Sequence, residues 1–168
     1  MRKAAGNTLE TEHLRLKSRS SKQTQLIGRR IGKLAQSGDI FLLTGYLGTG
    51  KTCLIQGVAH GLGVREHPTS PSFVIVREYH GRLTLYHIDF YRLDQAEAIA
   101  KLGLEEYLYS NGVCAVEWAE KGIGVLPQES LLVTLDYVSE CDTERVISFK
   151  PRGERYLELV SKLKASLR

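Results

Sequence analysis

No stretch of the 168 residues approaches the about 18 consecutive apolar residues of a membrane span, and no partnership with a membrane is expected. Met1 to Lys22 lack the apolar core of a secretion signal and the acid-free pattern of a transit peptide, so the cytoplasm is the expected compartment. Cysteine is scarce. Cys53, Cys114 and Cys141 are odd in number and widely spaced, which argues against a disulfide framework or a zinc-ligand pattern and for reduced, mostly buried thiols. The five histidines show no metal-ligand spacing, and no serine, histidine and acid follow one another in an order that argues for a hydrolytic triad. Internal repeats and low-complexity segments are also missing.

What remains is an ordinary globular composition, 42% apolar and 25% charged, in a chain of the length of one domain. The net charge of +4 is unevenly placed. Residues 1–33 carry nine Lys or Arg against two Glu, and the remainder is slightly acidic. Residues 1–19 are therefore expected to form a basic, flexible arm ahead of a single domain at 20–168. Such an arm can follow phosphates through counterion release, but it has no interleaved aromatics, and a solvated tail with a helix face explains it more simply.

Ser20 and Gln23 have the spacing of a capping box, and Ile27, Ile31, Leu34 and Ala35 recur at helical intervals, predicting a helix over 21–36. Ile40 to Leu43 is a short apolar run of the kind buried on both faces of a sheet. A glycine-rich turn follows, then a helix over 53–61. Residues 73–79 and 83–88 read as a hairpin around His80-Gly81-Arg82. A helical stretch capped by Asp94 and Glu97, interrupted at Gly103 and closed by Asn111-Gly112, leads to an apolar strand at 113–116. Residues 131–138 and 145–149 pair as another hairpin, and from Gly153 a last helix places Tyr156, Val160, Leu163 and Leu167 on one face. The expected fold is α/β, a three-layer sandwich like that of P-loop nucleotide hydrolases, with antiparallel hairpins in a mixed sheet.

Gly45-Tyr46-Leu47-Gly48-Thr49-Gly50-Lys51-Thr52 fits the pattern G-x-x-x-x-G-K-S/T. The glycines open torsions closed to other residues, so that several backbone N–H groups approach phosphate oxygens at the positive end of the next helix. Gly45, Leu47, Gly48, Thr49, Gly50, Lys51 and Thr52 are the candidate nucleotide-binding residues. Lys51 would reach the β- and γ-phosphates, and the Thr52 hydroxyl would ligate magnesium. ATP and Mg2+ are the expected ligands.

A magnesium nucleotide site also needs acid at the end of a neighbouring strand. Val113 to Val116 ends in Glu117, the Walker-B arrangement, which makes Glu117 the stronger candidate. Asp89 closes the strand over 83–88 and could serve the metal or the attacking water, or could equally cap a turn. Lys51, Asp89 and Glu117 are the candidate catalytic residues; Thr52, Glu117 and Asp89 are the candidate metal ligands. Thr69, Ser70, Pro71, Ser72 and Phe73 form a hydroxyl-rich loop where nucleotide hydrolases often keep a segment sensitive to the γ-phosphate. His87 alternates with Tyr86 and Ile88, and packing and function are equally open to it.

In order and spacing, Gly45 to Thr52, Thr69 to Phe73, His87-Ile88-Asp89-Phe90-Tyr91-Arg92-Leu93 and Glu117-Trp118 resemble the TsaE family, formerly YjeE, over about residues 20–137. The resemblance implies an ATPase of bacterial tRNA modification that works with TsaD and TsaB proteins to make N6-threonylcarbamoyladenosine, meeting tRNA through their complex. It also implies nucleotide and magnesium binding at Lys51, Thr52 and Glu117, a place at the site for Asp89, and a switch-like role for 69–73. Two positions depart from the family: Tyr46 stands where an acid is usual, and Thr49 where Ala or Ser is usual. A small-molecule kinase would share the phosphate loop but needs an arginine-bearing lid and an acceptor pocket, neither of which can be placed. A guanine nucleotide is disfavoured by the absence of any Asn-Lys-x-Asp. A nucleotide-dependent binding module without turnover of its own would keep the same phosphate residues.

Overall fold

The computed structural model describes residues 13–71, 73–138 and 141–168. Seven strands form one sheet: β1 (Leu14–Ser18), β2 (Ile40–Thr44), β3 (Val76–His80), β4 (Thr84–Asp89), β5 (Val113–Glu117), β6 (Ser130–Val138) and β7 (Cys141–Arg152). Their spatial order is β1-β7-β6-β2-β5-β4-β3. The central strands β6, β2, β5 and β4 run parallel, while β1, β7 and β3 join antiparallel at the edges. Both expected hairpins are present.

Helices α1 (Ser21–Leu34), α2 (Lys51–Gly61) and α5 (Glu154–Ser166) cover one face, and the short α3 (Ala96–Ala100) and α4 (Glu105–Leu108) the other. The alternation of strand side chains decides which layer each residue serves. Leu43, Leu85 and Ala115 pack under α1 and α2, whereas Leu42, Ile88 and Val116 face α3 and α4. Three layers result, as expected for a sheet buried on both sides.

The Ser20 hydroxyl accepts from the Gln23 N–H at 3.1 Å and so caps α1, but the Gln23 side chain accepts from Arg19 N rather than from Ser20 N, one residue off the reciprocal box. α1 carries Gly28 and Gly32, and α2 carries Gly57 and Gly61. A Cβ on Gly28 would collide with the Leu54 carbonyl, on Gly32 with that of Val58, on Gly57 with that of Gln25 and on Gly61 with that of Arg29. The two backbones are in direct contact.

Several boundaries differ from expectation. Leu14–Ser18, placed by sequence in the arm at 1–19, is an edge strand paired with Arg145–Phe149; residues 1–12 of that arm lie outside the described residues. An edge strand half exposed and rich in cations has no clean alternation to betray it. α3 has Gln95 at its N-cap with no side-chain hydrogen bond, so Asp94 does not cap it. Leu167 lies past the end of α5 and is partly exposed, and Leu159 takes its place on the buried face. Cys114 is buried, which pushes its thiol up to about 12, and Cys53 is half-buried; the side chain of Cys141 is outside the described residues. Among the described residues no helix is long and apolar enough to cross a membrane.

Candidate functional site

β2 ends at Thr44, and the chain turns through the glycine-rich loop into α2. Gly50 is the N-cap residue of α2 with φ 103°, a left-handed torsion that glycine adopts without steric cost. No side chain caps this helix and its first turn holds no acid, so its leading N–H groups and positive dipole end remain available to an anion. A cavity of about 430 Å³ opens above them, lined by the loop together with Ser70, Asp89, Tyr91, Glu117 and Trp118.

Sheet register brings the acids to this cavity. β5 lies beside β2 and β4 beside β5, with Leu43 opposite Glu117 and Glu117 opposite Asp89. The phosphate loop and the two carboxylates therefore stand in a row at the C-terminal ends of parallel strands, where open α/β sheets bind ligands. Thr52 Oγ1 donates to Glu117 Oε1 at 2.7 Å, which leaves the hydroxyl lone pairs free for a cation. Asp89 caps the turn weighed for it, Oδ1 accepting from the Tyr91 N–H at 2.8 Å, and it also lines the cavity, where Oδ2 accepts from the Ser70 hydroxyl at 2.6 Å. Thr52, Glu117 and Asp89 offer only oxygen, the donor magnesium prefers, and magnesium is commonly held by one or two carboxylates with phosphate oxygens and waters completing the shell. The donor set fits that ion. Among the described residues no cluster of three or more His, Cys, Asp or Glu forms a larger metal site.

Lys51 is 4% exposed, and its Nζ donates to the carbonyls of Gly45 at 2.6 Å and Tyr46 at 2.9 Å. Burial lowers its pKa, opposed by the charges of Glu117, Glu120 and Asp89. The ammonium also lies 4.0 Å from the Trp118 ring centroid. Trp118 has φ 56°, and this left-handed residue after β5 turns the chain into a 3-10 turn at Ala119–Gly122. From the outside, Tyr137 Oη donates to the Leu47 carbonyl at 2.7 Å, and Arg145 donates to Thr49 O at 3.2 Å and Gly48 O at 3.4 Å. These bonds hold the carbonyls of Leu47, Gly48 and Thr49 on the side of β6 and β7. Thr49 closes the turn through its hydroxyl, which donates to Tyr46 O at 2.9 Å, whereas the Tyr46 side chain is exposed.

Of the hydroxyl-rich loop, Ser70 reaches Asp89, the Thr69 N–H meets Tyr79 Oη at 3.3 Å, and the Pro71 carbonyl accepts from Val74 and Ile75. Ser72 lies outside the described residues. Phe73 is 83% exposed, with the Arg92 guanidinium 3.9 Å from its ring centroid; it belongs to the loop and not to β3. Ile75, at the base of the loop, has φ 70°, a strained torsion for a β-branched residue costing about 1–2 kcal/mol.

Sequence reasoning missed Tyr91 and Trp118 as lining residues although both sit inside quoted motifs, and missed Tyr137 and Arg145 altogether. The latter lie about ninety residues from the loop they hold, and only strand pairing brings them near. His87, left open between packing and function, is fully buried with Nε2 2.7 Å from Glu117 Oε1.

The family model for the threonylcarbamoyl adenosine biosynthesis protein TsaE matches residues 18–147. The chain is 39% identical over 135 residues to the tRNA threonylcarbamoyladenosine biosynthesis protein TsaE of Treponema pallidum, covering 80% of this chain and all of that protein. It is 40% identical over 154 residues to the protein of the same name from Bacillus subtilis, covering 90% and 94%. Among solved structures, the crystal structure of YdiB from Bacillus subtilis superimposes with a TM-score of 0.81 at 36% identity, over 94% of this chain and 97% of that one.

Proposed function

Because the chain belongs to the TsaE family of threonylcarbamoyl adenosine biosynthesis proteins, we propose that it is a magnesium-dependent ATPase required for N6-threonylcarbamoyladenosine modification of tRNA, acting in the cytoplasm with TsaB and TsaD. The observation that carries this reading is the gathering of Lys51, Thr52, Glu117 and Asp89 around one cavity at the head of α2. Phosphates enter over the N–H groups of Gly48 to Thr52. Lys51 exchanges its two loop carbonyls for phosphate oxygens, a substitution of anionic acceptors for neutral ones. Magnesium, when bound, neutralises charge on the phosphate oxygens, and Thr52 and Glu117 are the residues that would hold it. Asp89 faces the same space through Ser70, where it can orient the attacking water and report the γ-phosphate to the loop at 69–75.

Among the described residues nothing closes the cavity. Leu47 and Tyr91 line it and stand exposed, and Tyr46, Phe73 and Val74, exposed within a few residues of its lining in sequence, add apolar surface suited to being covered by protein. A docked partner would exclude water and fix the attack geometry, contributing several kcal/mol to barrier lowering. The isolated chain is therefore slow, and tRNA is reached through the complex. ATP turnover measured for the chain, for TsaB with TsaD, and for the mixture tests this, together with formation of the modified adenosine. The mixture is expected to exceed the sum of its parts and to lose modification with Lys51→Ala. Additive turnover, with modification insensitive to Lys51→Ala, removes the chain from the pathway.

A further inference from the structure

We infer that His87 is a positioning residue for the metal-binding carboxylate: its Nε2–H fixes the Glu117 side chain so that Thr52 and Glu117 present one prearranged magnesium position. The inference rests on Glu117 serving the metal as proposed above. His87 lies on β4 two residues before Asp89, so both point to the same face of the sheet, and its register partner on β5 is Ala115, two residues before Glu117. The small Ala115 leaves the imidazole room to lean across to the neighbouring strand. There it meets Glu117 Oε1 at 2.7 Å, the same oxygen that receives the Thr52 hydroxyl at 2.7 Å.

An ionised carboxylate only accepts, so the imidazole must donate from Nε2. This leaves Nδ1 as a bare acceptor, and it is buried with no hydrogen-bond partner among the described residues. A side chain kept here for packing would do better as leucine or phenylalanine, which strand no polar atom. The one bond that histidine makes and those residues cannot is the bond to Glu117. Outer-shell partners of this kind fix ligand orientation and typically change metal affinity by 10- to 100-fold when removed.

The test is magnesium titrated by calorimetry into protein saturated with a non-hydrolysable ATP analogue, on the parent and on His87→Leu, His87→Gln and His87→Asn. Gln places an amide N–H at the Nε2 position, and Asn places one at Nδ1, short of Glu117. Leu and Asn are expected to weaken magnesium about tenfold, with Gln near the parent and with metal-free nucleotide affinity unchanged in all. Nitrogen NMR of the His87 ring should show the proton on Nε2. Leu matching the parent, or Gln and Asn losing affinity equally, overturns the inference, and the Gln and Asn pair decides it even where Leu does not fold. Glu117→Gln is run alongside: if it binds magnesium like the parent, the reading of the site itself fails. If only the His87 variants match the parent, the site stands and this inference alone falls.

Discussion

The wall made by the phosphate loop and α2 differs from the wall made by residues 69–75 in what holds it. On the first, α2 lies against α1 backbone to backbone, Lys51 makes two carbonyl bonds, and Tyr137 and Arg145 tether the loop from outside. On the second, among the described residues, a tight turn closed on the Pro71 carbonyl and hydrogen bonds joining Thr69, Ser70 and Ile75 to the neighbouring strands hold a segment with an exposed Phe73 and a left-handed Ile75. Phosphate binding needs donors fixed before the ligand arrives, since preorganised dipoles cost nothing at the moment of reaction. Sensing whether the γ-phosphate is present needs an element with two arrangements of similar energy. On the function proposed above, rigidity and strain are divided between the walls according to task.

The largest expected effect breaks the rigid wall. Gly57→Val drives a branched side chain into the Gln25 carbonyl and should destabilise folding by about 3 kcal/mol, read as a lowered denaturation midpoint. Next, Lys51→Ala leaves the fold intact but removes a charge-assisted phosphate contact, weakening ATP by about 2.5 kcal/mol in calorimetry. Glu117→Gln should weaken magnesium in the nucleotide complex by about 2 kcal/mol, while Asp89→Asn, on the strained side, leaves magnesium binding closer to the parent and slows hydrolysis. Equal behaviour of the two acids in magnesium titrations would erase the division. The smallest effect belongs to Ile75→Asn: asparagine tolerates the left-handed torsion, so relief of about 1–2 kcal/mol of strain offsets lost packing and the melting temperature should barely move. A loss as large as the about 2–5 kcal/mol of an ordinary buried truncation would mean that Ile75 is not strained.

The legible parts of the sequence were those in which a single element carries its own signal. Gly45 to Thr52, the apolar run at 40–43 and the acid closing 113–117 all declare themselves within eight residues, and the structure places them together. The four motifs were enough to indicate the family and the α/β sandwich. Less legible were features made by pairing elements distant in sequence. Leu14–Ser18 becomes a strand only against β7, and Tyr137 and Arg145 become loop tethers only through the β6 and β7 register. His87 could not be assigned because its meaning lies in Ala115 and Glu117 on another strand. Asp89 kept two readings in sequence because one carboxylate has two oxygens: one caps the turn at Tyr91, and the other is bonded to Ser70 beside the cavity.

The glycines shared by α1 and α2 have a further consequence for how motion is reported along the molecule. With no layer of side chains between them to yield, neither helix can open without losing its partner, so their amides should exchange with solvent as one cooperative unit. Nucleotide bound at the head of α2 would then slow deuterium uptake in residues 27–34 of α1, although the structure gives that stretch no part in the cavity. Occupancy of the site could be followed away from it, on a stretch of helix that does not line the cavity.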